Sequence, residues 1–232
     1  GMFNAMGPYN FRFETMDEKR KLIDSIGGPK SHTNFPLGWA MAANTPLRRY
    51  KQNTHGGGIR DPLVISWPKG IRARGELRHQ FAHASDLAPT LLDIVGVAPP
   101  QQINGISQQP MTGVSFRASL NDPDAPQRNR PQYFEMFGHR GIWRAGWKAV
   151  AYHPPTTPFD SDRWELFHLD ADFSETNDLA AEKPELLEEL KALWWKEAEA
   201  NHVLPLDDRF GPRFAENAKR YHGARTKFTL HA

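Results

Sequence analysis

Apolar residues recur along this 232-residue chain in two rhythms, and the change falls near residue 130. Ahead of it they are sparse. Leu22, Ile23 and Ile26 stand at helical spacing and predict a short helix over about 16–26, stopped by Gly27-Gly28-Pro29. Residues 31–50, rich in aromatics, Asn and Pro, read as a loop. The run 63–67 (LVISW) is apolar and β-branched between Pro62 and Pro68, and predicts a strand buried on both faces. A second helix is predicted from Asp86 to Val95, with Asp86 as N-cap candidate, Pro89 in its first turn and Gly96 at its end. A Gln-, Gly- and Pro-rich connection then runs to about 130.

Beyond it the rhythm is that of strands. QYFEMF (132–137), GIWRAG (141–146), WKAVAY (147–152) and WELFHL (164–169) are short, aromatic-rich and partly alternating, with Gly138 and Gly146 at turn positions. A long helix is predicted over about 184–200, its apolar stripe formed by Leu186, Leu187, Leu190, Leu193 and Trp194. Three regions follow: 1–125, an α+β subdomain over 126–204 in which an antiparallel sheet packs on one long helix, and a polar, basic tail over 205–232.

Composition narrows the function classes. A hydrophobic fraction of 39% with 24% charged residues suits a soluble globular protein. The net charge of +2 comes from scattered residues and gives no field for a nucleic-acid partner. No apolar run approaches the roughly 20 residues that span a bilayer, so no membrane partner is expected. The start, GMFNAMGPYNF, lacks the charged and apolar regions of a signal peptide. There is no cysteine, which removes disulfides, thiolate nucleophiles and thiolate metal ligands together.

The candidate chemistry concentrates in 51–70, KQNTHGGGIRDPLVISWPKG. Lys51 and His55 stand just ahead of Gly56, Gly57 and Gly58, whose freedom in φ and tolerance of close backbone approach allow a sharp turn there. This block, with its Asn-Thr-Pro, following Lys, Gly-Gly-Ile-Arg-x-Pro and Trp-Pro-x-Gly-Ile, resembles the sulfatases, in particular the larger bacterial arylsulfatases of the alkaline phosphatase superfamily. IGGPKSHTNFPLGWAMAANTP (26–46), FAHASDLAPTLLDIVGV (81–97), NGISQQPMTGVSF (104–116) and RWELFHLDADFSETNDLA (163–180) continue the likeness in order.

The resemblance implies an α/β fold: residues 1–125 as part of the sulfatase (alkaline phosphatase-like) core, then the small sheet-and-helix subdomain. It implies hydrolysis of sulfate esters, with Lys51 binding the ester's oxygens as the catalytic and substrate-binding residue, and His55 as a candidate for the pocket wall. The family uses formylglycine and calcium, but their residues are not matched here. The nearest match to its Cys/Ser-x-Pro-x-Arg signature is Ser66 to Gly70, which lacks the Arg, and Asp207-Asp208 belongs to the tail region. The chain is expected to begin after the family's last metal ligands, to be inactive alone, and to pair with the amino-terminal half of the domain or with itself through an exposed sheet. The resemblance leaves the compartment open between bacterial cytoplasm and periplasm. Gly56 departs from the acidic residue many relatives carry there.

Simpler roles weigh against the other candidates. Arg60 and Asp61 read as a structural pair at the turn, and His83 and Asp86 as capping residues. His32, Asn34 and Trp39 suit loop packing as well as they suit a substrate border. Glu135, His139, His153 and His168 have no ligand spacing, so no metal site is expected. Trp143, Trp147, Trp164, Trp194 and Trp195 read as subdomain core. Two other readings stay open: a phosphonate or phosphodiester hydrolase of the same superfamily, and a non-catalytic binding or assembly module.

Overall fold

The computed structural model describes residues 14–29, 31–72 and 74–209. Most of the predicted tail therefore lies outside the described residues. Five α-helices and six strands occur among those described: α1 (Met16–Lys21), α2 (Leu37–Asn44), α3 (Gly56–Ile59), α4 (Leu87–Val95), β1 (Gln102–Ile103), β2 (Ile106–Ser107), β3 (Gln132–Met136), β4 (His139–Arg144), β5 (Trp147–Ala151), β6 (Trp164–His168) and α5 (Pro184–Ala200).

The carboxyl-terminal half forms where the alternation predicts it. Strands β3 to β6 pair in sequence order as an antiparallel meander. Both tight turns, Phe137-Gly138 and Ala145-Gly146, have positive φ at each residue, the backbone that matches the right-handed twist of hairpin strands. Helix α5 lays Leu190, Trp194 and Ala198 against Ile142, Ala149, Ala151, Trp164 and Leu166, and all five predicted stripe residues belong to this packing. Trp195 is exposed, unlike its neighbour. On the same face the buried Arg140 guanidinium pairs with the buried Asp162 carboxylate and lies near the Trp164 and Trp194 rings. Asp162 also pairs with the buried His153 ring at 2.9 Å.

The amino-terminal half differs from expectation. Ahead of Ser119, every buried side chain among the described residues is polar; no aliphatic or aromatic side chain there is buried. The 63–67 run is extended but pairs with no strand, and Val64 is 90% exposed. A strand needs a neighbour's N–H and C=O groups, and the described residues supply none beside this run. The predicted helix at 16–26 breaks into α1 and a 3₁₀ turn (Ile23–Ser25), and its apolar residues Met16, Leu22, Ile23 and Ile26 are exposed. The predicted loop at 31–50 contains α2, helical despite Asn and Pro because LGWAMAAN holds good helix formers behind Pro36.

Helix α4 ends at Gly96 with φ +70°, the left-handed cap that glycine favours. Asp86 does not cap α4 with its side chain. Its buried carboxylate accepts the His83 and Val114 N–H groups and pairs with Arg128 at 2.8 Å. It staples three segments, so the capping role holds only for the 3₁₀ turn at 84–86.

Because the hydrophobic cluster around Trp194 lies between the sheet and α5, Trp194→Ala is expected to cost about 3–5 kcal/mol. Val64→Ala is expected to stay within about 0.5 kcal/mol, like other exposed positions. Urea unfolding followed by circular dichroism checks both; equal costs would contradict the placement of the core.

Candidate functional site

Alternation gives the sheet a second face, made by Gly141, Trp143, Lys148, Val150, Glu165 and Phe167, and this face carries charge. The chain from Arg48 to Gly58 lies across it. Thr54 donates its hydroxyl to the Arg140 carbonyl at 2.9 Å, and a Cβ on Gly141 would meet Thr54 at 3.2 Å. Gly141 is thus the gap in β4 through which the loop seats.

Two carboxylates hold the loop. Glu165 pairs through Oε1 with Arg48 Nη1 and through Oε2 with His55 Nε2, each at 2.9 Å. Glu175 accepts the Gly56 N–H at 2.9 Å with Oε2 and takes Lys148 Nζ at 2.5 Å with Oε1. The Lys148 and Glu175 side chains are 2% and 1% exposed. Burial pushes the Lys148 ammonium down from its ordinary value, and the Glu175 carboxylate opposes that shift.

Within the loop the glycines serve close approach, not left-handed backbone. None of Gly56, Gly57 and Gly58 has positive φ; they form the one-turn helix α3. A Cβ on Gly57 would come within 2.1 Å of the Arg49 carbonyl oxygen, and one on Gly58 within 2.0 Å of that of Asn53. The left-handed residues are instead Arg49 (φ +63°) and Gln52 (φ +78°), which flank Lys51. Such conformations cost on the order of 1 kcal/mol or more each and persist only where the surroundings enforce them. Asn44 supplies part of that enforcement, donating Nδ2–H to the Arg49 and Gly57 carbonyls at 2.9 Å. The Arg49 guanidinium lies 3.6 Å from the centre of the Tyr152 ring.

The structure separates the two predicted site residues. Lys51 is exposed, and its ammonium has no ion-pair partner among the described residues. His55 is 0% exposed and sits behind the loop, facing Glu165, with no open surface of its own. Burial holds the His55 pKa below its ordinary value, outweighing the hydrogen bond to Glu165. Burial pushes the Glu165 carboxyl up, but the hydrogen bonds from His55 and Arg48 win and bring it to about 2. The consistent state is a neutral imidazole donating Nε2–H to a carboxylate whose charge Arg48 balances. His55 Nδ1 is buried with no hydrogen-bond partner, so protonation would place a second, unsatisfied N–H there.

The remaining candidates scatter. Arg60 stacks on Phe173 at 3.9 Å, and the expected pair with Asp61 does not form. His32, Asn34 and Trp39 are exposed. His139 accepts the His153 N–H at 2.9 Å and stacks on Tyr152; burial pulls its pKa to about 4. His168 stacks with Trp147, and Asp208 accepts the Thr156 N–H at 2.7 Å. Among the described residues no three His, Asp or Glu side chains are grouped to hold a metal ion. Ser66 lies exposed in the unpaired 63–67 run, with no Arg in register. The described residues therefore do not fit calcium or a formylglycine. Sequence reading missed Glu165, Glu175 and Lys148; only their polar places in strongly apolar strands and a Glu in SETND could have signalled them.

Residues 50–200 match the protein family described as "N-sulphoglucosamine sulphohydrolase, C-terminal". The chain belongs to this sulfatase family. An uncharacterized sulfatase of Schizosaccharomyces pombe is 28% identical over 189 residues, 80% of this chain and 33% of the relative. The arylsulfatase of Klebsiella aerogenes is 32% identical over 116 residues, 50% of this chain and 24% of its own. An N-acetylglucosamine-6-O-sulfatase of Bacteroides thetaiotaomicron is 29% identical over 123 residues, covering 52% of this chain and 21% of that protein. The chain thus spans between a fifth and a third of these relatives' length. The structure of Ps i-CgsB in complex with k-i-k-neocarrahexaose aligns with a TM-score of 0.54 at 22% identity, over 77% of this chain and 37% of that one. The fold is accordingly the sulfatase, alkaline phosphatase-like α/β architecture, of which this chain shows the helices, the unpaired 63–67 run and the terminal sheet. No helix among the described residues is long and apolar enough to cross a membrane.

The depressed pKa of His55 fixes the sign of a pH dependence. A folded-state pKa below 6.5 means that His55 contributes stability that is full above pH 6.5 and is lost as pH falls below it. His83 and His139 are shifted the same way, whereas the Glu165 contribution is lost only between about pH 4.5 and 2. Urea-unfolding free energy is therefore expected to fall from pH 7 to pH 5, with histidine NMR showing His55 as the neutral Nε2–H form at pH 7. Stability that rises over that range, or a charged His55 at pH 7, would contradict this.

Proposed function

We propose that this chain is the carboxyl-terminal portion of an arylsulfatase-like hydrolase of sulfate esters, and that Lys51 is its contribution to the sulfate pocket. The observation that carries this reading is an exposed lysine, without an ion-pair partner among the described residues, on a loop anchored by two carboxylates: Glu165 through the Arg48 and His55 side chains and the buried Glu175 through the Gly56 N–H. Cleaving a sulfate ester builds negative charge on the bridging oxygen, and a preset ammonium stabilises it without reorganising. A hydrogen bond to a charged group contributes about 1.5–3 kcal/mol, roughly 10- to 150-fold in rate. His55 supports the pocket from behind the loop.

The chain supplies no nucleophile, so it does not turn over sulfate esters alone. The 63–67 run and the α4 residues Leu87, Leu91 and Val95 are exposed apolar groups of the kind found at interfaces. Their partner in this reading is the amino-terminal part of the sulfatase domain, since curated relatives are three to five times longer than the stretch matched. That part would bring the formylglycine and the calcium ligands, and a neighbouring strand for 63–67.

Purified chain is expected to leave a chromogenic aryl sulfate intact; calcium-dependent turnover would overturn the reading. In the enzyme assembled with an amino-terminal sulfatase segment, Lys51→Ala is expected to lower kcat/KM for that ester about 10- to 150-fold, and no loss would remove Lys51 from the pocket.

A further inference from the structure

We propose that Glu165 and Glu175 are positioning residues for Lys51, setting the loop that carries it from the sheet face on which that loop lies. The inference rests on Lys51 as the sulfate-holding residue. The bonds of both carboxylates go to the loop's flanks and backbone and to Lys148. Glu165 bonds Arg48 and His55, which bracket Lys51, and so closes the neck of the loop. Glu175 takes the Gly56 amide, the first N–H of α3, and is itself fixed by Lys148.

A purely stabilising role explains this arrangement poorly. Buried ion pairs can often be replaced by apolar pairs of similar volume without loss of stability. What an apolar pair cannot do is accept the Gly56 N–H or join Arg48 to His55. The loop between those anchors also holds the left-handed Arg49 and Gln52 and the tightly approached Gly57 and Gly58, a backbone that relaxes unless held. Misplacing a binding group by about 1 Å can cost about 100-fold in rate, which gives such anchoring a use.

The test uses the full chain and two double variants matched for folding by urea unfolding. Lys148→Met with Glu175→Met removes the acceptor of the Gly56 N–H; Lys148→Met with Glu175→Gln restores one. Amide hydrogen exchange over 53–58 is expected to quicken at least about 10-fold in the first and return toward wild type in the second, while Ile142 and Leu166 exchange unchanged. Unchanged loop exchange in the first variant overturns the proposal, as does quickening that the Gln variant fails to reverse. If the Met/Met variant does not fold, Glu165→Met and Glu165→Gln read the same amides with the same two outcomes. Titration with inorganic sulfate, followed by NMR at the backbone amides of residues 51–58, separates the two claims. A sulfate response absent from wild type, or kept in Lys51→Ala, refutes the lysine's role, whereas the exchange result alone decides the positioning.

Discussion

The charged face of the β3–β6 sheet is the constraint on which this structure turns. One face is an ordinary core, with α5 burying Leu190 and Trp194 against the strands. The other presents Lys148 and Glu165 to a loop that has no apolar side chain to bury. Taking Lys148 and Glu175 out of water costs several kcal/mol per ion, offset only by close pairing and by hydrogen bonds to the remaining atoms. The Gly56 amide is one of those bonds. The sheet and the loop therefore depend on each other: the loop completes the coordination of the charges, and the charges fix the loop.

How far the sequence reveals this depends on the element. Strands β3 to β6 and helix α5 were legible because their apolar periods match the packing they make, and Gly138 and Gly146 mark the turns. The 63–67 run misleads because LVISW describes what a buried strand would need, while burial depends on neighbours that the sequence does not encode locally. Lys148 and Glu165 are polar residues in apolar strands, and nothing in their spacing marks them; only the loop laid over them shows their role. Lys51 was legible through its motif, and the structure leaves it exposed. His55, adjacent to the same glycines, sits behind the loop, a difference set by side-chain direction and invisible to spacing.

The two halves of the chain also differ in what they ask of a partner. The carboxyl-terminal half closes its own core. The described residues before Ser119 bury only polar side chains, stapled by Asp86 to Arg128 and the backbone of Val114, and leave Val64, Leu91 and Val95 to solvent. The chain belongs to a sulfatase family and spans a third or less of these curated relatives' length; under the proposed function both halves suit a finished subdomain joined to one side of a larger layered fold. Under the proposed function the anchored loop would form one wall of the pocket, and the attacking group would come from the amino-terminal part.

The central claim is that the Lys51 loop is held as firmly as the sheet beneath it, although it is a glycine-rich surface segment. Backbone ¹⁵N relaxation measures this directly. Order parameters near 0.85 at Thr54, Gly56 and Gly57, equal to those of Ile142 and Leu166, are the expected result. Values below about 0.6 in the loop beside a rigid sheet would contradict the account.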